Sequence, residues 1–293
     1  MSDREHDREF VLTLSCPDGK GIVAGVANLL AAHGCNITES QQYGDHYTGR
    51  FFLRMEFTAE PVPGGAAAGE DGLRGAFASL AGEFGLEWQL WRRDARPRML
   101  VMVSKFGHCL NDLLYRQRSG LLDAEIAAVV SNHPDLEFLA RSYGLDFHHL
   151  PVRPETKRDQ EARLLELVES YDIDFMVLAR YMQVLSADLC AKMSGRVINI
   201  HHSFLPSFKG ARPYHQAHAR GVKLIGATAH YVTADLDEGP IIEQEVSRVD
   251  HTQGPERLTA IGRDLESLAL ARAVNWHAQH RVLLNGAKTV VFR

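Results

Sequence analysis

Cysteine is scarce and widely spaced: Cys16, Cys35, Cys109 and Cys190 are the only four in 293 residues. That spacing holds no C-x-x-C pair. It predicts neither a disulfide framework nor a thiolate metal cluster, and a reduced, cytoplasmic protein is the expectation. Long apolar runs are also missing. None reaches the roughly 18 residues of a membrane-spanning helix, so no membrane association is expected. The opening Met1-Ser2-Asp3-Arg4-Glu5 is charged with no apolar stretch behind it, which predicts no signal peptide. Neither sign of charge dominates. The 32 basic and 37 acidic residues leave a net charge of -5, which gives no electrostatic reason to expect nucleic-acid binding. Two catalytic signatures are absent as well. There is no G-x-S-x-G elbow for a serine nucleophile and, despite 15 histidines, no H-E-x-x-H zinc motif. No bound metal and no permanently bound cofactor is expected.

What remains is an ordinary globular composition, 45% hydrophobic and 24% charged, with enough length for two domains. The first 95 residues read as one unit. Strands are predicted over 9–15, 36–43, 50–58 and 87–93, and helices over 22–33 and 73–84. Phe51, Leu53, Met55 and Phe57 share one strand face by period two. Gly34 ends the first helix, and residues 59–72, rich in glycine, alanine and proline, form a loop. The order is βαββαβ, the ferredoxin-like pattern. After a linker at 94–97 the pattern becomes strand alternating with helix, which predicts a second α/β domain over 96–293 with a mostly parallel sheet. Its strands are expected at 98–104, 125–131, 147–150, 175–178, 197–200, 224–233 and 241–249, with a long helix over 256–279 and an edge strand near 288–293.

One strand breaks its own pattern. In Val197-Ile198-Asn199-Ile200-His201 an amide and an imidazole interrupt an apolar run where the strand should end. Strands inside parallel sheets are apolar throughout, and ligands of open α/β sheets bind at the strands' carboxyl ends. Asn199 and His201 are therefore candidates for facing a ligand, although each alone fits equally well a turn-capping amide or a satisfied buried histidine. A second polar turn, Thr233-Ala234-Asp235-Leu236-Asp237-Glu238-Gly239-Pro240, also follows an apolar strand. A carboxylate takes a proton from water or holds the water in line, while an imidazole and an amide donate to an oxygen that gains negative charge. That set suits addition to a carbonyl. The attacker is water or a substrate amine, since no protein nucleophile is evident.

Two resemblances extend this reading. The βαββαβ unit, with Asp18-Gly19-Lys20-Gly21-Ile22 between its first strand and first helix, resembles an ACT-type regulatory domain. That implies an amino-acid effector bound near Asp18, Gly19, Gly21 and Ile22, and a homo-oligomer. Over roughly 98–280, Asn199-Ile200-His201 followed by Ser203-Phe204-Leu205-Pro206-Ser207-Phe208-Lys209-Gly210 resembles the signature of the folate-dependent formyltransferase fold, which is Rossmann-like. The resemblance implies a catalytic trio of Asn199, His201 and Asp237, a pterin-binding segment through Met182, Gln183, Val184 and Leu185, and a facing loop of Thr233, Ala234, Asp235 and Leu236. It also implies a supporting role for His230.

The loop Lys105-Phe106-Gly107-His108-Cys109-Leu110 departs from the Gly/Ser/Asn-rich phosphate cradle of the ribonucleotide formyltransferases, because one glycine among bulky neighbours makes a poor anion nest. An ACT-like unit ahead of a formyltransferase-like unit is similar instead to the formyltetrahydrofolate deformylases. The implied reaction is hydrolysis of 10-formyltetrahydrofolate to formate and tetrahydrofolate, in one-carbon and purine metabolism. Transfer of the formyl group to an amine is the alternative. Two further readings are weighed: a metal-dependent hydrolase, for which the histidines lack ligand spacing, and a silent effector-binding protein, which would not need all three of Asn199, His201 and Asp237.

Overall fold

The computed structural model describes residues 9–59, 69–203 and 213–293. The chain folds as two compact units. One runs to Arg96 and takes in His280–Asn285 and Val290–Arg293. The other runs from Pro97 to Gln279 and takes in Gly286–Thr289.

The first unit is built from β1 (Glu9–Pro17), α1 (Ile22–Ala32), β2 (Cys35–Asp45), β3 (Arg50–Ala59), α2 (Glu70–Phe84) and β4 (Glu87–Arg92). The sheet order is β2-β3-β1-β4, and the pairs are antiparallel, as the ferredoxin-like pattern requires. Period two explains its core. Phe10, Leu12, Leu14 and Cys16 of β1 and Leu53, Met55 and Phe57 of β3 point to one face, where they meet Ile22, Val26 and Leu30 of α1 and Leu73 and Phe77 of α2. Helix α2 starts three residues before the predicted position, at Glu70. Glu70 and Asp71 occupy its first turn, where negative charge suits the helix dipole.

The other face of this sheet is also buried, and it carries charge. Arg54 is 1% exposed and pairs with Glu39 and Glu56. Arg281, from the chain's end, pairs with Glu39 as well. His280 stacks on Trp91 with ring centres 4.1 Å apart, and Asn285 donates to Asp45 at 2.7 Å. These contacts explain why residues 280–285 and 290–293, assigned by the sequence to the second domain, group with the first unit. The tail also differs from the expected edge strand. Strands β12 (Val282–Asn285) and β13 (Lys288–Val291) pair only with each other among the described residues.

The second unit holds β5 (Arg98–Val103), α3 (His108–Arg118), β6 (Glu125–Ser131), α4 (Glu137–Ser142), β7 (Asp146–His149), α5 (Lys157–Ser170), β8 (Phe175–Leu178), α6 (Ala187–Lys192), β9 (Val197–His201), α7 (Pro213–Ala219), β10 (Leu224–Tyr231), β11 (Ile241–Arg248) and α8 (Pro255–Ala278). Its seven-stranded sheet has the order β11-β10-β9-β8-β5-β6-β7. Strands β5 to β9 pair in parallel, and β10 is antiparallel to both of its neighbours. The central strands are buried throughout: all four residues of β8 and five of the six in β5. From β5 the chain moves outward through β6 and β7, then returns to the other side of β5 at β8. Ligands of open α/β sheets bind beyond the carboxyl ends of the strands at such a reversal.

Candidate active site

Asn199 and His201 lie two apart on β9, so their side chains share a face while Ile198 and Ile200 between and beside them are buried. The antiparallel pairing of β9 with β10 sets His230 directly opposite Asn199. Asn199 Nδ2 lies 3.1 Å from His230 Nε2, and His230 Nδ1 lies 2.9 Å from the carbonyl of Tyr231. The carbonyl can only accept, so Nδ1 carries the proton and Nε2 accepts from the amide. Burial lowers the His230 pKa and keeps it in that neutral form. His230 thereby fixes which end of the Asn199 amide is the nitrogen.

Asp237 reaches the same place from the loop after β10. The loop is tied at its base by Tyr231 N to the Pro240 carbonyl, 2.9 Å, and within by Thr233 Oγ1 to the Asp235 carbonyl, 3.1 Å. Gly239 makes that closure feasible, since a Cβ there would lie 1.7 Å from the Tyr231 carbonyl oxygen. Asp237 itself adopts φ 56, an uncommon conformation that non-glycine residues keep when the surroundings dictate it. Its Oδ1 lies 3.3 Å from His201 Nδ1 and 3.8 Å from His230 Nε2. The hydrogen bond from His201 outweighs partial burial and holds the Asp237 carboxyl below its usual range, so it is ionised at neutral pH.

The four side chains line one side of a cavity of about 500 Å³. Met182, Gln183, Val184 and Leu185 line another, and Thr233, Ala234, Asp235 and Leu236 a third. The 181–186 segment is held from behind: Ser104 Oγ accepts from Met182 N at 3.0 Å and donates to Asn132 at 2.6 Å, and Glu161 accepts from Ser186 N at 2.8 Å. Met182, Val184 and Leu236 are exposed apolar groups on the cavity wall, suited to a flat aromatic ligand. Every second-domain residue expected to act on or bind the substrate therefore lines one cavity. The signature residues 204–210 lie outside the described residues. Among the lining residues given no role from the sequence are Arg180 and His202. The available signal was weak: an arginine two positions after a wholly apolar strand, and a second histidine beside His201.

In the first unit, Asp18, Gly19, Gly21 and Ile22 lie at the β1–α1 turn. Gly21 takes φ 92 at the start of α1, Ile22 is buried, and Asp18 N donates to the Gly49 carbonyl. For metals, His108, Cys109 and Glu266 bring donor atoms within 4.8 Å of one another. Arg180 lies 3.3 Å from the same Glu266 oxygen and burial raises the Cys109 thiol pKa, so the cluster suits an internal ion pair better than a cation.

The family model described as formyl transferase matches residues 97–274, and the ACT domain model matches 10–68. A formyltetrahydrofolate deformylase of Corynebacterium sp. (strain P-1) is 53% identical over 97% of this chain and 98% of its own. The crystal structure of a formyltetrahydrofolate deformylase from Burkholderia mallei superposes with a TM-score of 0.92, at 52% identity over 98% of this chain and all of that one. Glycinamide ribonucleotide transformylase 1 from Symbiobacterium toebii is similar over less: TM-score 0.63, 31% identity, 68% of this chain and 95% of that one.

Proposed function

The chain belongs to the formyltetrahydrofolate deformylase family, and from that premise we propose that it hydrolyses 10-formyltetrahydrofolate to formate and tetrahydrofolate at Asn199, His201 and Asp237. The observation that carries the assignment is the convergence of those three side chains on one cavity, with Asp237 ionised and only loosely engaged. The pterin lies between the 182–185 segment and the 233–236 loop, with the N10-formyl group toward Asn199 and His201. Asp237 orients a water and takes its proton as the oxygen adds to the formyl carbon. The carbonyl electrons move to oxygen, and that oxyanion accepts hydrogen bonds from the Asn199 amide and from His201 Nε2. A His201 ring carrying both protons donates Nδ1–H to the carboxylate 3.3 Å away, which balances its charge. Collapse breaks the C–N10 bond, N10 takes the proton held by Asp237, and formic acid leaves, giving its remaining proton to solvent to become formate.

Amine transfer is the less favoured reading. The deformylase relatives are matched over both units, whereas the transformylase is matched over 68% of the chain. Formate release with no amine acceptor present is the test. Asn199→Ala and Asp237→Asn should each lower turnover by about 100- to 1,000-fold while leaving the circular dichroism spectrum unchanged. Near-full hydrolysis by either folded variant overturns the assignment. The remaining expectations are part of the same proposal: residues 1–95 as a regulatory domain with an amino-acid effector at Asp18, Gly19, Gly21 and Ile22, a homo-oligomer, no permanently bound cofactor, and a cytoplasmic enzyme of one-carbon and purine metabolism.

A further inference from the structure

Behind His201 stands a second polar cluster that the reaction does not use directly. Arg180, just beyond the end of β8, takes φ 66. Its Nη1 lies 2.7 Å from His202 Nδ1, and its Nε 3.3 Å from Glu266 Oε2. Glu266, on α8, is 2% exposed and also accepts from His108 Nε2 at 2.8 Å and from the Tyr214 hydroxyl at 3.0 Å. The ring of His202 lies against that of His201, with centres 4.8 Å apart and planes 21° apart.

We propose that Arg180 is a positioning residue for hydrolysis: braced by Glu266, it donates to His202 Nδ1 and so fixes His202 as an uncharged, flat platform for the His201 ring. The inference rests on His201 acting as proposed above.

A guanidinium has only donors and stays protonated. Its partner atom Nδ1 must therefore accept, which leaves the single proton of His202 on Nε2. A second proton would set one N–H against another and place a cation against Arg180. The charged and titratable groups around His202 are Arg180 beyond β8, His201 at the end of β9 just before it, Asp237 from the loop after β10 and Glu266 from α8, with His108 and Tyr214 behind Glu266. Burial, then Arg180, then His201 lower the His202 pKa to about 4, against the weaker pull of the two carboxylates. An uncharged neighbour matters here because His201 carries positive charge when it donates to both Asp237 and the oxyanion. Two stacked imidazolium rings would repel each other.

The cluster also shows what the chain gives up to build it. Arg180 holds a left-handed backbone that only constraint maintains. Helix α8 carries a glycine in its interior, a poor helix former, at Gly262, where a Cβ would lie 2.0 Å from the Tyr214 hydroxyl oxygen. The Tyr214–Glu266 contact depends on that gap.

Formate release by the full chain tests the proposal. In Arg180→Met, kcat should fall by about 10- to 100-fold, the range expected for a misplaced reacting group, while KM for 10-formyltetrahydrofolate stays within about 3-fold. The kcat profile should also gain an acid limb at higher pH than in the unaltered enzyme, because His202, freed of the guanidinium, takes up a proton as pH falls. Arg180→Met/His202→Phe keeps a flat ring with nothing to protonate, so the added limb should vanish and part of kcat return. A purely structural role for Arg180 would produce neither the limb nor its removal. Nitrogen-15 spectra of the histidine-labelled unaltered chain give a readout independent of any variant's folding. His202 should show the Nε2–H tautomer without titration between about pH 5.5 and 8. Titration of His202 in that range, or a folded Arg180→Met with unchanged kcat and profile, overturns the proposal and leaves the assigned reaction standing. Full hydrolysis by a folded His201→Ala would instead remove the reaction on which it rests.

Discussion

Two carboxylates in the second unit, Asp237 and Glu266, lie on either side of the His201–His202 pair and are held in opposite ways. Glu266 is 2% exposed, accepts from His108 at 2.8 Å and from Tyr214 at 3.0 Å, and has the Arg180 guanidinium 3.3 Å away as an ion-pair partner. Burial pushes its pKa up, but His108, Arg180 and Tyr214 together outweigh that and bring it below the usual value. Asp237 is 30% exposed and has one donor among the described residues, His201, at 3.3 Å, while the unprotonated Nε2 of His230 stands 3.8 Å away. Both are anionic, yet only Asp237 is open to water. A carboxylate offers about four acceptor positions; those of Asp237 face the cavity, whereas Glu266 is sealed from water. The contrast separates a brace from a base: similar chemistry, with burial deciding which can act.

Removing the brace should give the largest change in stability. Glu266→Ala leaves the mostly covered Arg180 and His108 beside an absent partner, a loss of up to about 3–5 kcal/mol, the range for a broken buried ion pair, readable as a lower urea midpoint. A folded Glu266→Ala of unaltered stability would show that the two carboxylates are held alike. Gly262→Ala should have a smaller effect on the same cluster. The new Cβ would meet the Tyr214 hydroxyl oxygen at 2.0 Å. Overpacking of this kind costs about 1–3 kcal/mol, more than offsetting the helix propensity that alanine adds. An exposed helix glycine changed the same way would gain stability, so the sign of the change in thermal midpoint is the check.

The difference between the two clusters also marks what the sequence discloses. Asn199, His201 and Asp237 are legible because each interrupts a buried strand or its turn, and a polar residue is conspicuous there. The period-two alternation of a strand is enough to put Asn199 and His201 on one face. Glu266 is not legible. It lies in a 24-residue helix, where a glutamate ordinarily reads as solvent-facing, and only the packing of α8 near α3 and α7 buries it. Arg180 and His202 escape notice for a related reason: their partners come from other strands and helices, and sequence spacing carries no record of that meeting. The same limit explains the chain's end. Arg281 and Asn285 find Glu39 and Asp45 across some 240 residues of sequence, whereas the local pattern offers only a short strand with no stated partner.

The smallest expected effect isolates Asp237 by pH. Both carboxylates have lowered pKa values in the folded chain. Each therefore contributes stability that is present above the unfolded value, near 4, and lost as pH falls through the lower folded value. For Asp237 the contribution should stay below about 1 kcal/mol, since a third of the group meets solvent and screening weakens the pair. Comparing the unaltered chain with Asp237→Asn by urea unfolding near pH 7 and again near pH 3.5 should show a small difference that shrinks on acidification, while Glu266→Gln over the same range should show a larger one. If Asp237→Asn lost as much stability as Glu266→Gln, then Asp237 would be spending its charge on the fold. The idea that its spare acceptor positions are kept for a water would fail, whatever the variant did to turnover.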